Sequence, residues 1–67
     1  MNTTTAYPRE FPPILTTEQV AELTGLNRSW FDRARKHGFG PPFIRITSRI
    51  IRYERDVVLD WCREHSS

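Results

Sequence analysis

Cysteine is nearly absent from this chain: Cys62 is the only one among 67 residues, so no internal disulfide exists. It stands beside Trp61 in a helical pattern, where a small buried or half-buried thiol is the expected reading. A catalytic cysteine needs a positioned base. The two histidines, His37 and His65, lie far apart, one at a helix end and one near the C-terminus, so neither catalysis nor metal binding is expected of these three side chains. Long apolar runs are also missing, and nothing approaches the ~20 residues of a membrane span. Residues 1–13 lack the basic-then-apolar order of a secretion signal, so a cytoplasmic setting is expected. No paired carboxylates fall in a plausible pocket. The close glycine pair in Gly38-Phe39-Gly40 runs into Pro41 and Pro42 instead of forming a phosphate-cradling loop, so no enzymatic activity and no cofactor are expected. No heptad seam is present, which predicts a monomer in solution.

Acids are scarce where bases are dense. Between Arg28 and Tyr53 stand seven basic residues (Arg28, Arg33, Arg35, Lys36, Arg45, Arg49, Arg52) against Asp32, a local balance of +6. The remainder holds Arg9, Arg55 and Arg63 against seven acids, a balance of −4. An unspecialised surface mixes its signs. A cationic middle between acidic flanks predicts one face suited to a polyanion. At this length the chain makes one small domain, burying only roughly 60% of its unfolded surface. Its hydrophobic content of 37%, with two Trp, four Phe and two Tyr, is enough for a compact core.

Residues 1–13 are polar and broken by Pro8, Pro12 and Pro13; they read as a flexible tail, with Tyr7 and Phe11 able to fold back on the core and Arg9 able to serve as a small DNA-contacting arm. The domain is expected over residues 14–64, with residues 65–67 as a second tail. Thr16-Thr17-Glu18-Gln19 has the capping-box form and opens a helix. Leu15, Val20, Ala21 and Leu23 supply its apolar stripe, and Gly25 ends it. After Leu26, Asn27 caps a second helix running from about Arg28 to His37 and stopping at Gly38. At 100° per residue, Phe31 and Ala34 face one way with Trp30 flanking, while Ser29, Asp32, Arg33 and Lys36 face the other. The pair makes a helix-turn-helix.

Downstream, Phe43-Ile44-Arg45-Ile46 and Ile50-Ile51-Arg52-Tyr53 flank Thr47-Ser48-Arg49 and predict a β-hairpin. Ile44, Ile46, Ile51 and Tyr53 would form its apolar face, Arg45 and Arg52 its basic face, and Ile50 falls outside. Glu54-Arg55-Asp56 opens a last helix with Val57, Val58, Trp61 and Leu59 on its apolar side, fraying from Glu64 onward. The predicted class is α+β, mostly α, in a winged helix-turn-helix arrangement.

This surface suits duplex DNA. The major groove, about 12 Å wide, admits one helix. The first turn of the second helix offers free amides plus Arg28 and Ser29 to a phosphate, Arg33 reaches a guanine edge, and Lys36 lies further along. Asp32 repels phosphates. It either accepts from a cytosine amino group or, the favoured reading, pairs with Arg28 and Lys36 at i±4. Arg45, Arg49 and Arg52, with the hydroxyls of Thr47 and Ser48, would let the hairpin track the backbone or enter the minor groove.

From Leu15 to Trp61 the chain reads LTTEQVAELTGLNRSWFDRARKHGFGPPFIRITSRIIRYERDVVLDW, about 47 of the 67 residues. It resembles the excisionase-like and AlpA-like helix-turn-helix family, small relatives of the MerR-type winged helix. The matching pieces are LTTEQVAELTGLNRS, the RARKHG-x-GPPFIRI link and IRYERDVVLDW. The resemblance implies a DNA-binding domain of mobile elements, with its second helix in the major groove and its hairpin as a wing. By position, Arg28, Ser29 and Arg33 match recognition-helix contacts, and Arg49 and Arg52 match the wing. The family often has an aromatic residue where Asp32 stands, a small hydroxyl residue at Trp30, and Gly with a basic residue where Thr47 and Ser48 stand. Those departures bear on base preference and wing-tip conformation.

Three functions compete. An excisionase would occupy adjacent attachment-site DNA, bend it, and direct an integrase toward excision, with copies side by side on the duplex. A small transcriptional regulator would use the same surface. A protein-interaction adaptor would meet an acidic protein, and salt titration against duplex DNA separates it from the other two.

Overall fold

The computed structural model describes residues 10–65. The expectations attached to Tyr7 and Arg9 lie outside the described residues. In chain order the elements are β1 (Ile14–Leu15), α1 (Thr17–Thr24), α2 (Arg28–His37), β2 (Ile44–Arg45), β3 (Ile51–Glu54) and α3 (Arg55–Glu64). The fold is α+β: three helices and a three-stranded antiparallel sheet of order β1-β3-β2. None of these helices is long and apolar enough to cross a membrane.

Local signals set both helix boundaries of the α1–α2 pair. The Thr16 hydroxyl accepts from the Gln19 amide at 3.1 Å, and the Gln19 side chain accepts from the Thr16 amide at 2.9 Å, completing the capping box. Gly25 closes α1 at φ 79°, donating to the Ala21 carbonyl at 2.9 Å. Two residues later the Asn27 side chain accepts from the Trp30 amide at 2.8 Å and starts α2. Removing such a cap costs about 1 kcal/mol.

The core lies between the helices and the inner face of the sheet. Leu15, Val20, Phe31, Tyr53 and Val58 are at most 1% exposed, with Phe11, Ala21 and Ala34 beside them. Each such large apolar side chain contributes about 1.5–3 kcal/mol through burial. Trp30 flanks this core, packing edge-on against Phe31, Phe39 and Trp61 with ring centres 4.9, 5.7 and 6.1 Å apart. Phe11 folds back on the core. Its carbonyl accepts from the Arg55 guanidinium at 2.8 Å, and the Pro13 carbonyl accepts from the Arg55 amide at the same distance. The segment before β1 is thereby fastened to the start of α3.

Three local expectations are corrected. Leu15 is buried but is not part of the α1 stripe: it is extended on β1, opposite Tyr53, ahead of the Thr16 cap. β1 itself escapes sequence reading because two residues carry no period. The hairpin register pairs Ile44 with Arg52 and Arg45 with Ile51. Residues directly opposite share a face. Ile44 therefore shares a face with Arg52, while Arg45 shares the face of Ile51 and Tyr53 and is itself exposed at its edge. Ile44, Ile46 and Ile50 are 39%, 58% and 40% exposed. Burying the larger aromatic area of Tyr53 and Phe43, whose rings lie 6.2 Å apart, outweighs covering Ile44 and Ile46. Finally, α3 continues through Glu64, where fraying was expected. The His65 ring stacks on Trp61 at 4.3 Å just beyond it.

Candidate nucleic-acid interface

α2 turns Phe31 and Ala34 into the core, and this leaves Ser29, Asp32, Arg33 and Lys36 exposed. Arg33 and Lys36 make no side-chain hydrogen bond or ion pair with the described residues, so their charges are open to a partner. Arg28, at the helix start, is held by Glu18 of α1 at 2.8 Å. Both side chains are well exposed, 61% and 69%, and such a pair is worth at most about 1 kcal/mol.

Asp32 pairs with Arg35, at i+3, and with neither Arg28 nor Lys36 as expected from i±4 spacing. The cause is the setting of Arg35. Its side chain is only 17% exposed, so a desolvated guanidinium recruits the nearest carboxylate. Arg35 also donates to the Tyr53 hydroxyl at 2.7 Å and makes a long contact of 3.5 Å with the Thr17 hydroxyl. Its guanidinium carbon lies 6.0 Å from the ring centres of both Phe43 and Tyr53. Burial alone would lower its pKa. The hydrogen bonds and charge attraction from Tyr53 and Asp32 outweigh that and raise it, so Arg35 stays cationic. One side chain thus ties α2 to α1 and β3.

The hairpin tip is organised by Thr47. Its hydroxyl oxygen accepts from the amides of Arg49 and Ile50, both at 3.1 Å, and the Ile46 amide donates to the Ile50 carbonyl at 2.9 Å. This local network stands where glycine would otherwise ease the turn. It leaves the Arg49 side chain without a hydrogen-bond or ion-pair partner among the described residues. Arg52 donates to the neighbouring Ile51 carbonyl at 2.8 Å, a neutral acceptor that leaves its charge uncompensated. Arg45 lies over the Phe43 ring, 5.5 Å from its centre.

A cleft of about 240 Å³ opens where the start of α1, the start of α2 and the hairpin meet. Four arginines line it, Arg28, Arg35, Arg49 and Arg52, together with Thr17 and Glu18. Of the eight residues expected to contact DNA, Arg28, Arg49 and Arg52 are brought together here. Ser29, Asp32, Arg33 and Lys36 remain on α2 and Arg45 on β2, outside the cleft lining. Arg35 is the residue that sequence reasoning missed. Its signal was present: it stands four residues after Phe31, on the buried flank of α2, where an unpaired cation is not tolerated. Concave walls on which one sign of charge predominates focus the field and strengthen attraction for an anion.

No family profile matches the chain, and no curated protein matches it significantly.

Proposed function

We propose that this protein binds double-stranded DNA as a winged helix-turn-helix, with α1 and α2 as the helix pair and the β2–β3 hairpin as the wing. The observation that carries the reading is the convergence of Arg28 from α2 with Arg49 and Arg52 from the hairpin on one cleft. In this reading the exposed face of α2 enters the major groove. Ser29, Arg33 and Lys36 meet base edges and nearby phosphates, with the Arg33 fork directed at guanine. The cleft arginines take the phosphate backbone beside it.

The resemblance of Leu15–Trp61 to excisionase-like and AlpA-like proteins directs the reading further. We infer an excisionase of a mobile element, which occupies neighbouring sites on attachment DNA and bends it in favour of integrase-driven excision. Bending costs on the order of 1–6 kcal/mol, recovered from contacts such as those of the cleft.

Duplex binding measured across a salt series tests the first part. With four or five phosphate contacts, the log–log slope is expected at about −3 to −5. No duplex affinity at low salt refutes it and favours an acidic protein partner. Footprinting around an attachment site, with excision and promoter assays run side by side, tests the second part. Arg33→Ala should cost about 1–3 kcal/mol on the preferred site. An effect confined to transcription would assign the protein to promoter control.

A further inference from the structure

We propose that the arginine cleft is a clasp for one backbone phosphate, and that Glu18 closes it in the free protein by occupying Arg28. The inference rests on the DNA-binding reading above and adds to it a carboxylate that competes with DNA. Among the described residues Glu18 is the only acid lining the cleft, beside four arginines. Its carboxylate stands 2.8 Å from the Arg28 guanidinium, in an exposed pair that a stronger acceptor displaces at little cost. Arg35 is fixed behind by Tyr53, Asp32 and Thr17 and forms a preorganised wall. Arg49 is uncommitted among the described residues, and Arg52 is bound only to a neutral carbonyl. The cleft therefore carries more positive charge than its own carboxylate neutralises. A phosphodiester can replace Glu18 at Arg28, as a fork-shaped donor favours, in a cleft that Arg49 and Arg52 also line.

Two consequences distinguish this from general attraction to a basic protein. Glu18 should oppose DNA binding more than other acids do, and its effect should depend on Arg28. The experiment measures fluorescence anisotropy of a random-sequence duplex with the wild type, Glu18→Gln, and Glu22→Gln, an equal charge change on α1 outside the cleft. Circular dichroism checks folding. Glu18→Gln is expected to tighten binding about two- to fivefold at low salt, from release of a surface pair. Glu22→Gln should change it less, and Arg28→Gln should erase most of the Glu18→Gln gain in the double variant. Unchanged or weaker binding by Glu18→Gln, with the wild type still bound to DNA, overturns the clasp and leaves the DNA reading standing. Equal gains from Glu18→Gln and Glu22→Gln do the same. Titration with inorganic phosphate, followed by NMR at the arginine side chains, separates the two sources of the ligand. Saturable phosphate binding without any duplex binding overturns the proposal in favour of a small-anion site and refutes the DNA reading with it.

Discussion

Changing Tyr53 to phenylalanine deletes one oxygen and leaves the ring where it packs, 5.7 Å from Phe31 and 6.2 Å from Phe43. The lost atom accepts from Arg35 at 2.7 Å, in a side chain that is 1% exposed overall. A hydrogen bond to a charged group is worth about 1.5–3 kcal/mol. The lower end applies because Arg35 keeps Asp32 and retains a 17% opening to water. With about 1.5 kcal/mol lost and a urea m-value near 1 kcal/mol per molar for so small a domain, the midpoint should fall by about 1.5 M. The melting temperature should fall by about 6–12 °C. The assay is urea and thermal unfolding followed by far-UV circular dichroism, with Arg35→Met and the double variant completing a cycle. Coupling between the two positions should recover most of the single loss. On duplex DNA, Tyr53→Phe should weaken affinity while keeping the salt slope, since the charge of Arg35 survives and only its position loosens. A Tyr53→Phe protein within about 0.5 kcal/mol of wild type would refute the idea that Arg35 is anchored through this hydroxyl.

Three further expectations follow from the same geometry. Gly40 sits at φ 93° with an added Cβ only 2.9 Å from the Ala34 Cβ, whereas Gly25, at φ 79°, has nothing within 4 Å. Gly40→Ala should cost about 2–4 kcal/mol and Gly25→Ala about 1 kcal/mol in thermal melts; equal losses would show that overpacking plays no part. Thr47→Ala should speed amide exchange at Arg49 and Ile50 and weaken duplex binding with under about 1 kcal/mol of stability lost, while Thr47→Ser keeps the tip and the affinity. Burial pushes the Cys62 thiol up, so the folded state holds its proton more tightly than the unfolded chain. The stability this adds is full below the ordinary thiol range and lost as pH rises through the folded value. Alkylation should accordingly be slow in buffer and faster in urea, and equal rates would contradict the burial.

The helix pair was legible because its signals are local. Thr16 and Gln19, Gly25, Asn27 and Gly38 mark boundaries through the backbone beside them, and Phe31 with Ala34 marks the buried side of α2. The sheet was less legible for an equally physical reason. Alternation tells which residues share a face but not which face is covered, and both runs offer an apolar residue in either register. Phe43 and Tyr53 decide in favour of one register, and that decision depends on packing against Phe31, a residue distant in sequence. Arg28, Arg49 and Arg52 were nominated on charge, on their places at a helix start and in a hairpin, and on the family resemblance, but their meeting in one cleft depends on the turn before α2 and the fold of the hairpin. The partner of Asp32 was misread because i±4 spacing ranks neighbours by helix geometry and ignores solvation.

A census of charges treats the seven basic residues from Arg28 to Arg52 as equivalent, but solvation divides them. Arg35 is spent on the fold: its donors face a hydroxyl and a carboxylate, and its plane lies near two rings. Arg28 and Arg45 are lightly engaged, by an exposed carboxylate and an aromatic face. Arg52 is bound to a carbonyl, and Arg33, Lys36 and Arg49 have no side-chain polar partner among the described residues. An approaching polyanion gains most from the last group, since nothing must be broken first, and least from Arg35, whose desolvated contacts resist exchange. The same division makes lysine an acceptable substitute at position 49 and a poor one at position 35. There a single ammonium cannot span Tyr53 and Asp32 while remaining flat near the Phe43 ring. The basic surface therefore stands on an arginine whose main contribution is to tie α2 to α1 and β3.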